Sequence, residues 1–414
     1  MGDTLRRNRD FGRLWAGQSI SQLGSQVTVL ALPLVAIRIL HAGPLEVGAL
    51  AACETAPFLL VGLPAGVWVD RWRRQPILVV ADVARAAALA TVPLAYALDV
   101  LSMWQLYVVA VVTGVFTVFF DVAYQSYLPA LVPRERLVEG NAKLELSRSM
   151  SQVAGPGVAG VLVELLRSPY AVAADSVSFA VSALFVARIR TREAAMPASD
   201  AREPMRRSIG AGLRYVLRHP VLKRIAACTA MFNLFSAIGM AVFLLYAVDR
   251  LGISPAVIGL VFSLGSLGFV LGAALSARLG RVLGVGPALL LAAGVGGAGF
   301  LLVPLAPADT AVPFFVVAMF LEMMGMPIYN VLQVSLRQAV TPTRLQGRMN
   351  ATMRFVVWGV MPLGSLVGGV LGRAFGLRAA LWVSGIGTTL SVLPLLGRTM
   401  LSLRTIPADG DAAA

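Results

Sequence analysis

Four carboxylates sit inside stretches apolar enough to lie in lipid, and these are the side chains whose chemistry most needs an explanation. Glu54 falls mid-depth in an apolar run over 45–68 and Asp121 in the inner half of one over 102–128. Glu322 falls near the middle of a run over 312–336, and Asp175 in the outer third of one over 169–189. A charge at the centre of a bilayer costs about 3 kcal/mol on insertion scales, so each acid must face a cavity, a partner or a proton. A carboxyl that gains and loses a proton in such a place can couple proton flow to another event, and Glu54, Asp121 and Glu322 are the candidates. The other reading for each is a hydrogen-bond partner in helix packing, the favoured one for Asp175 beside Ser176 and Ser178.

Amides and aromatics gather near two of these acids. Asp121 and Gln125 share a helix face at i,i+4, and Asn330 occupies the position equivalent to Asp121 in the second half of the chain. Phe119, Phe120, Tyr124 and Tyr329 lie close in sequence, and Gln22, Gln26, Asn233, Gln333 and Trp358 could contribute to a cavity from other spans. An apolar, aromatic cavity with few polar anchors favours amphiphilic organic ligands over ions or sugars. The two cysteines, Cys53 and Cys228, lie in apolar segments, and both histidines, His41 and His219, lie outside them. That leaves no disulfide framework, no metal centre and no nucleophile paired with a base, so neither an enzyme nor a cofactor is expected.

The elements that hold these residues follow from composition. At 57% hydrophobic, 14% charged and a mean hydropathy of +0.78, the 414-residue chain has more apolar surface than a soluble globule could bury. Breaks at charged, polar and Gly/Pro interruptions give twelve membrane spans, near 14–40, 45–68, 77–98, 102–128, 143–166, 169–189, 221–248, 255–278, 285–305, 312–336, 349–372 and 378–400. With the N-terminus placed in the cytoplasm, most of the 35 Lys and Arg residues fall on inside loops. Outside loops hold Arg38, Arg167, Arg250, Arg373 and Arg378. The net charge of +14 is then a matter of topology, and nucleic acid is not an expected partner. Leu5-Arg-Arg-Asn-Arg-Asp10 reads as a cytoplasmic lead-in to a retained first span.

The polar stretch 191–219 separates a six-helix bundle over 1–190 from a second over 220–414, with Ile209 to Leu217 expected as a short amphipathic helix on the membrane. The halves repeat. Pro133 to Asn141 (PRERLVEGN) returns as Pro342 to Asn350 (PTRLQGRMN), and Gly155 and Gly160 fall on Gly364 and Gly369 at the same offset. Such a repeat is expected of two pseudo-symmetric bundles around a midplane site.

One loop carries a family signature. Gly66-Val-Trp-Val-Asp70-Arg71-Trp-Arg73-Arg74-Gln-Pro76 interrupts the apolar pattern between the second and third spans. It resembles the signature loop between helices 2 and 3 of the major facilitator superfamily (MFS), matching at Gly66, Asp70, Arg71 and Arg74 and departing at Arg73, where the family has glycine. The resemblance implies an all-helical membrane transporter and makes Asp70 a conformational latch that meets the start of helix 11, here Arg348 to Arg354. Asp82 and Arg85, spaced i,i+3, are expected to join Asp70 and Arg148 in a charge cluster at the inner mouth. In span 5, Gly155-Pro156-Gly157 with Gly160 resembles the glycine-proline motif of the superfamily's antiporters, a pivot that favours export over uptake. Asn8-Arg-Asp10-Phe-Gly-Arg-Leu-Trp15-Ala-Gly-Gln18-Ser-Ile-Ser-Gln22 and Leu131-Val-Pro-Arg-Glu-Arg-Leu-Val-Glu-Gly-Asn141 look most like the macrolide-efflux and enterobactin-exporter branch. Drug antiporters of the best-described branch carry an arginine inside helix 4; Leu106 to Leu128 has no basic residue, so that proton route does not carry over. The implied protein is a monomeric, proton-coupled exporter of amphiphilic small molecules in the bacterial plasma membrane, with both termini cytoplasmic. A dedicated exporter of a metabolite such as a siderophore or lysophospholipid is the alternative.

Overall fold

The structure is a computed structural model in which residues 8–69, 72–133, 136–191 and 213–405 are described, apart from the side chains of residues 63, 66, 67, 138, 343, 344 and 347. Asp70, Arg71 and 192–212, most of the expected linker, lie outside these residues. Two compact units form, Met1–Asp200 with Ile253–Ser263, and Ala201–Gly252 with Leu264–Ala414.

The described part of the first unit begins with α1 (Arg9–Arg38), whose N-cap Asn8 accepts from the backbone N–H groups of Asp10 (3.1 Å) and Phe11 (3.0 Å) through its side chain. Next come α2 (Pro44–Leu60), α3 (Gly62–Val69), α4 (Arg74–Ala97), α5 (Met103–Leu131), α6 (Leu137–Leu166) and α7 (Ser168–Ala187). Pro44 and Glu46 open α2, the carboxylate reaching back to the N–H of Gly43 at 2.7 Å. The expected single span over 45–68 is instead two helices, α2 and α3, meeting at Val61 shortly after Pro57. Among the described residues eleven helices are long and apolar enough to cross a membrane, and the broken second span accounts for the difference from twelve.

The second unit holds α8 (Pro220–Leu245), the body of α9 (Pro255–Leu283), α10 (Val285–Leu305), α11 (Ala311–Ala339), α12 (Thr343–Gly359), α13 (Met361–Phe375), α14 (Leu377–Leu390) and a last turn, α15 (Arg398–Leu401). The helix pairings repeat between units: α1 packs on α7 and α6, α4 on α7 and α5, and α2 on α5. Correspondingly α8 packs on α14 and α13, and α10 on α14 and α11. Close crossings need glycine. A Cβ on Gly114 of α5 would come within 2.8 Å of Pro57 and 3.0 Å of the Glu54 carbonyl, and Gly265 of α9 is pressed on Met319 of α11 in the same way. Each unit has its own apolar core, one around Phe11, Leu78, Phe120 and Tyr127, the other around Leu222, Leu289, Leu336 and Met353. Large apolar side chains such as Leu60, Leu94, Leu165 and Trp104 stand exposed on the outer helix faces, as a lipid solvent allows.

Candidate functional site

A cleft of about 480 Å³ opens within the first unit, and its lining follows helical spacing. From α1 come Gln18, Ser21, Gln22, Ser25 and Gln26; from α5 Thr117, Phe120, Asp121, Tyr124, Gln125 and Leu128. From α6 come Asn141, Leu144, Glu145, Arg148, Ser151 and Gln152, with Arg85 from α4 and Phe179 from α7. The structure therefore gathers Gln22, Gln26, Asp121, Tyr124 and Gln125 into one place. Arg85 and Arg148, expected in the cluster at the inner mouth, line the same cleft. Glu54 is not in the lining. It lies in α2 against α5, half-buried.

Arg85 is held from every side. It pairs with the fully buried Asp82 one turn back, its Nη1 reaches Thr117 at 3.4 Å, and its guanidinium lies 4.5 Å over the Phe120 ring and 4.0 Å over the Phe179 ring. A buried charge is tolerable when paired and stacked in this way, and Arg85 is a fixed part of the wall. Tyr124 stacks on Phe120 with centroids 5.9 Å apart, which adds an aromatic face.

The lining is more polar than the sequence reading allowed. The expected apolar cavity with few anchors is replaced by amides, hydroxyls and charges with aromatics along one wall, because α6 begins at Leu137 and turns Asn141, Glu145 and Gln152 inward. Gln18, Ser21, Asn141, Glu145 and Gln152 are the residues sequence reasoning missed. Their signal was present as two polar stripes at helical spacing, Gln18, Gln22, Gln26 and Asn141, Glu145, Arg148, Gln152.

Asp175 is a packing acid. It accepts from Thr28 of α1 and, at 2.8 Å, from Ser178, and Ser176 donates to the carbonyl of Ala86 at 2.7 Å. The glycine-proline segment of α6 is a tight crossing with the part of α9 that belongs to the first unit. The N–H of Gly157 donates to Ser263 Oγ at 2.8 Å, a Cβ on Gly160 would lie 3.0 Å from Gly259 Cα, and one on Gly259 would run into the Pro156 carbonyl. A Cβ on Gly155 would meet Gln26 at 2.7 Å.

In the second unit Asn233 donates to the Val357 carbonyl at 2.8 Å, and the hydroxyls of Tyr329 and Thr229 are 2.9 Å apart. Arg337 bridges Gln333 and Asn350, and Gln333 donates to Asn330. Glu322 is half-buried on α11, its backbone against Gly296 and Gly299 of α10, while Arg354 and Trp358 stand on α12 with their side chains exposed. Gly66 lies in α3 and Arg74 opens α4. The free thiols of Cys53 and Cys228 lie apart on α2 and α8, and among the described residues no group of His, Cys, Asp and Glu could hold a metal ion.

Comparison with known proteins agrees with this architecture. The family profile described as Major Facilitator Superfamily matches residues 14–361 and, in an overlapping match, 226–411. The multidrug efflux pump Tap of Mycolicibacterium fortuitum is 26% identical over 384 residues, covering 89% of each chain. Macrolide efflux protein A of Streptococcus pyogenes is 26% identical over 181 residues, 44% of each chain. Among solved structures, a bacterial homologue of the iron transporter ferroportin, in its inward-facing state, superposes with a TM-score of 0.77 at 17% identity, covering 97% of this chain and 100% of that one. The repeated helix pairing, the spans and these matches agree: the chain is a multi-pass membrane transporter that belongs to the Major Facilitator Superfamily.

Proposed function

We propose that the protein is a proton-coupled exporter of amphiphilic small molecules, working by alternating access in a bacterial inner membrane with both termini in the cytoplasm. The observation that carries this reading is the first-unit cleft, where Asp121 stands beside aromatic faces and several hydrogen-bonding amides. A membrane-embedded carboxyl that shares a site with ligand-binding groups can exchange a proton for a ligand. The names of two relatives, a multidrug efflux pump and a macrolide efflux protein, point the same way. Asp121 and Glu322, one in each unit, are the acids proposed to carry the proton. Glu54 is the third candidate, set apart from the cleft. One proton moving through 100 mV supplies about 2.3 kcal/mol, enough for roughly 50-fold accumulation of a neutral solute. The polarity of the lining supports a second reading, a dedicated exporter of a polar metabolite such as a siderophore.

The test is export of a panel of lipophilic drugs, macrolides included, and of iron chelators from inverted vesicles, with and without a proton gradient. Gradient-dependent movement of several drugs is expected. Asp121→Asn and Glu322→Gln, which keep size and remove the titratable group, are expected to lose that dependence with folding intact. Unchanged gradient-driven export in both variants removes these two acids from the mechanism, and movement of a single chelator establishes the second reading.

A further inference from the structure

The units repeat one another, and at one place the repeat is filled differently. In the second unit Arg337 donates through Nη1 to Gln333 Oε1 at 2.9 Å and through Nη2 to Asn350 Oδ1 at 2.8 Å, and Gln333 donates on to Asn330 at 2.9 Å. A guanidinium thus closes the wedge between α11 and α12. At the same sequence offset the first unit has Asp121 for Asn330, Tyr124 for Gln333, Leu128 for Arg337 and Asn141 for Asn350, and all four line the open cleft. Where the second unit supplies a cation of its own, the first has an apolar stub beside empty space. The charges change in the same sense, with a carboxylate at Asp121 against the amide of Asn330 and Glu145 against Arg354.

The cleft wall is short of donors. The carbonyl oxygen of Gln18, a side chain about nine-tenths buried, meets no hydrogen-bond partner, and neither does that of Gln22 or the hydroxyl of Tyr124. Asn141 spends an amide N–H on the Leu137 carbonyl at 2.9 Å, which leaves its Oδ1 to accept. Arg85 is neutralised by Asp82 and stacked between rings, so the remaining charges of the lining are Asp121 and Glu145 against Arg148, one negative in excess. Acceptors without donors, net negative charge and an aromatic face together describe a receptor for a donor-bearing cation.

We propose that the first-unit cleft binds an organic cation that carries its own N–H donors, an ammonium, amidinium or guanidinium group, in the position that the Arg337 side chain takes in the second unit. This rests on reading the cleft as the ligand site and specifies its ligand chemistry. Asp121, Glu145 and Asn141 accept from the head group, and Phe120 and Tyr124 receive the apolar remainder.

Equilibrium binding of phenethylguanidine, of its trimethylammonium analogue, which has charge without N–H donors, and of the neutral phenethylurea to purified protein in nanodiscs tests the proposal. The guanidine is expected to bind about ten-fold or more tightly than either analogue, as a charge-assisted contact implies. Leu128→Arg, which plugs the cleft with the group Arg337 supplies opposite, should abolish that preference, and Glu145→Gln should reduce it several-fold, each with the wild-type circular dichroism and melting profile. Equal affinity for guanidine and urea in the wild type overturns the proposal, as does an unchanged preference in either folded variant. So does displacement of the guanidine by sodium chloride but not by choline chloride, which would mark an inorganic-cation site. Because the assay measures binding without a gradient, the expected pattern in a protein that exports nothing would overturn the export reading alone.

Discussion

His219 shows how much one side chain decides at a helix end. It stands just before α8, in extended backbone, and its Nδ1 accepts from the N–H groups of Val221 (3.3 Å) and Leu222 (3.4 Å), satisfying two donors that a helix start leaves unpaired. Pro220 needs no partner, having no N–H. Partial burial lowers the imidazole pKa below its usual 6.5, so the folded protein binds its proton less readily than the unfolded chain. The cap's stability is therefore fully present above the unfolded pKa and lost as pH falls through the lower, folded value. His219→Asn keeps an acceptor that does not titrate. The thermal midpoints of variant and wild type should agree near pH 7.5, and the variant should become the more stable by about 1 kcal/mol near pH 5.5. Parallel midpoints across that range would show that the ring does not cap through its neutral form.

At the scale of elements, the crossing of α6 with the start of α9 depends on missing side chains. Gly160 and Gly259 bring two backbones together beside Pro156, and Ser263 takes the Gly157 N–H. Gly294 of α10 provides the contrast, since a Cβ there meets nothing within 4 Å. An alanine in open space gains up to about 1 kcal/mol of helix propensity, whereas overpacking costs about 1–3 kcal/mol. Gly294→Ala should raise the melting temperature and Gly160→Ala lower it, the second with impaired transport; shifts of the same sign would show that the crossing yields. Much of this level was legible in the sequence. Apolar runs gave the spans, and the Gly-Pro-Gly segment marked a close approach, because small residues and proline have few other uses in a lipid-facing helix. The break at Val61 was not, since Pro57 and Gly62 are both tolerated inside membrane helices. Nor was the polarity of the cleft. Reading the fifth span as starting at 143 left Asn141 outside it, and one sequence does not fix which face of a helix turns inward.

At the scale of the whole molecule, the internal repeat was readable from two loops, and the matching helix pairings in the two units give it a physical form. Repetition of the scaffold did not bring repetition of the chemistry. The first unit keeps an open cleft with acids, and the second closes the equivalent wedge with Arg337. One unit is thus built to accept a ligand where its copy is already filled. Exporting that ligand also requires the scaffold to alternate between two arrangements, which is the role proposed for the loop over Asp70 and Arg71. A latch changes the relative free energy of those arrangements without touching the ligand, so it acts on the rate of cycling and only weakly on intrinsic affinity. Asp70→Asn should therefore slow export several-fold while equilibrium affinity, measured without a gradient, stays within about three-fold, a difference of less than 1 kcal/mol. Loss of binding in a variant that still folds would make Asp70 part of the ligand site, and the loop's charge pattern would then need an explanation within the cleft.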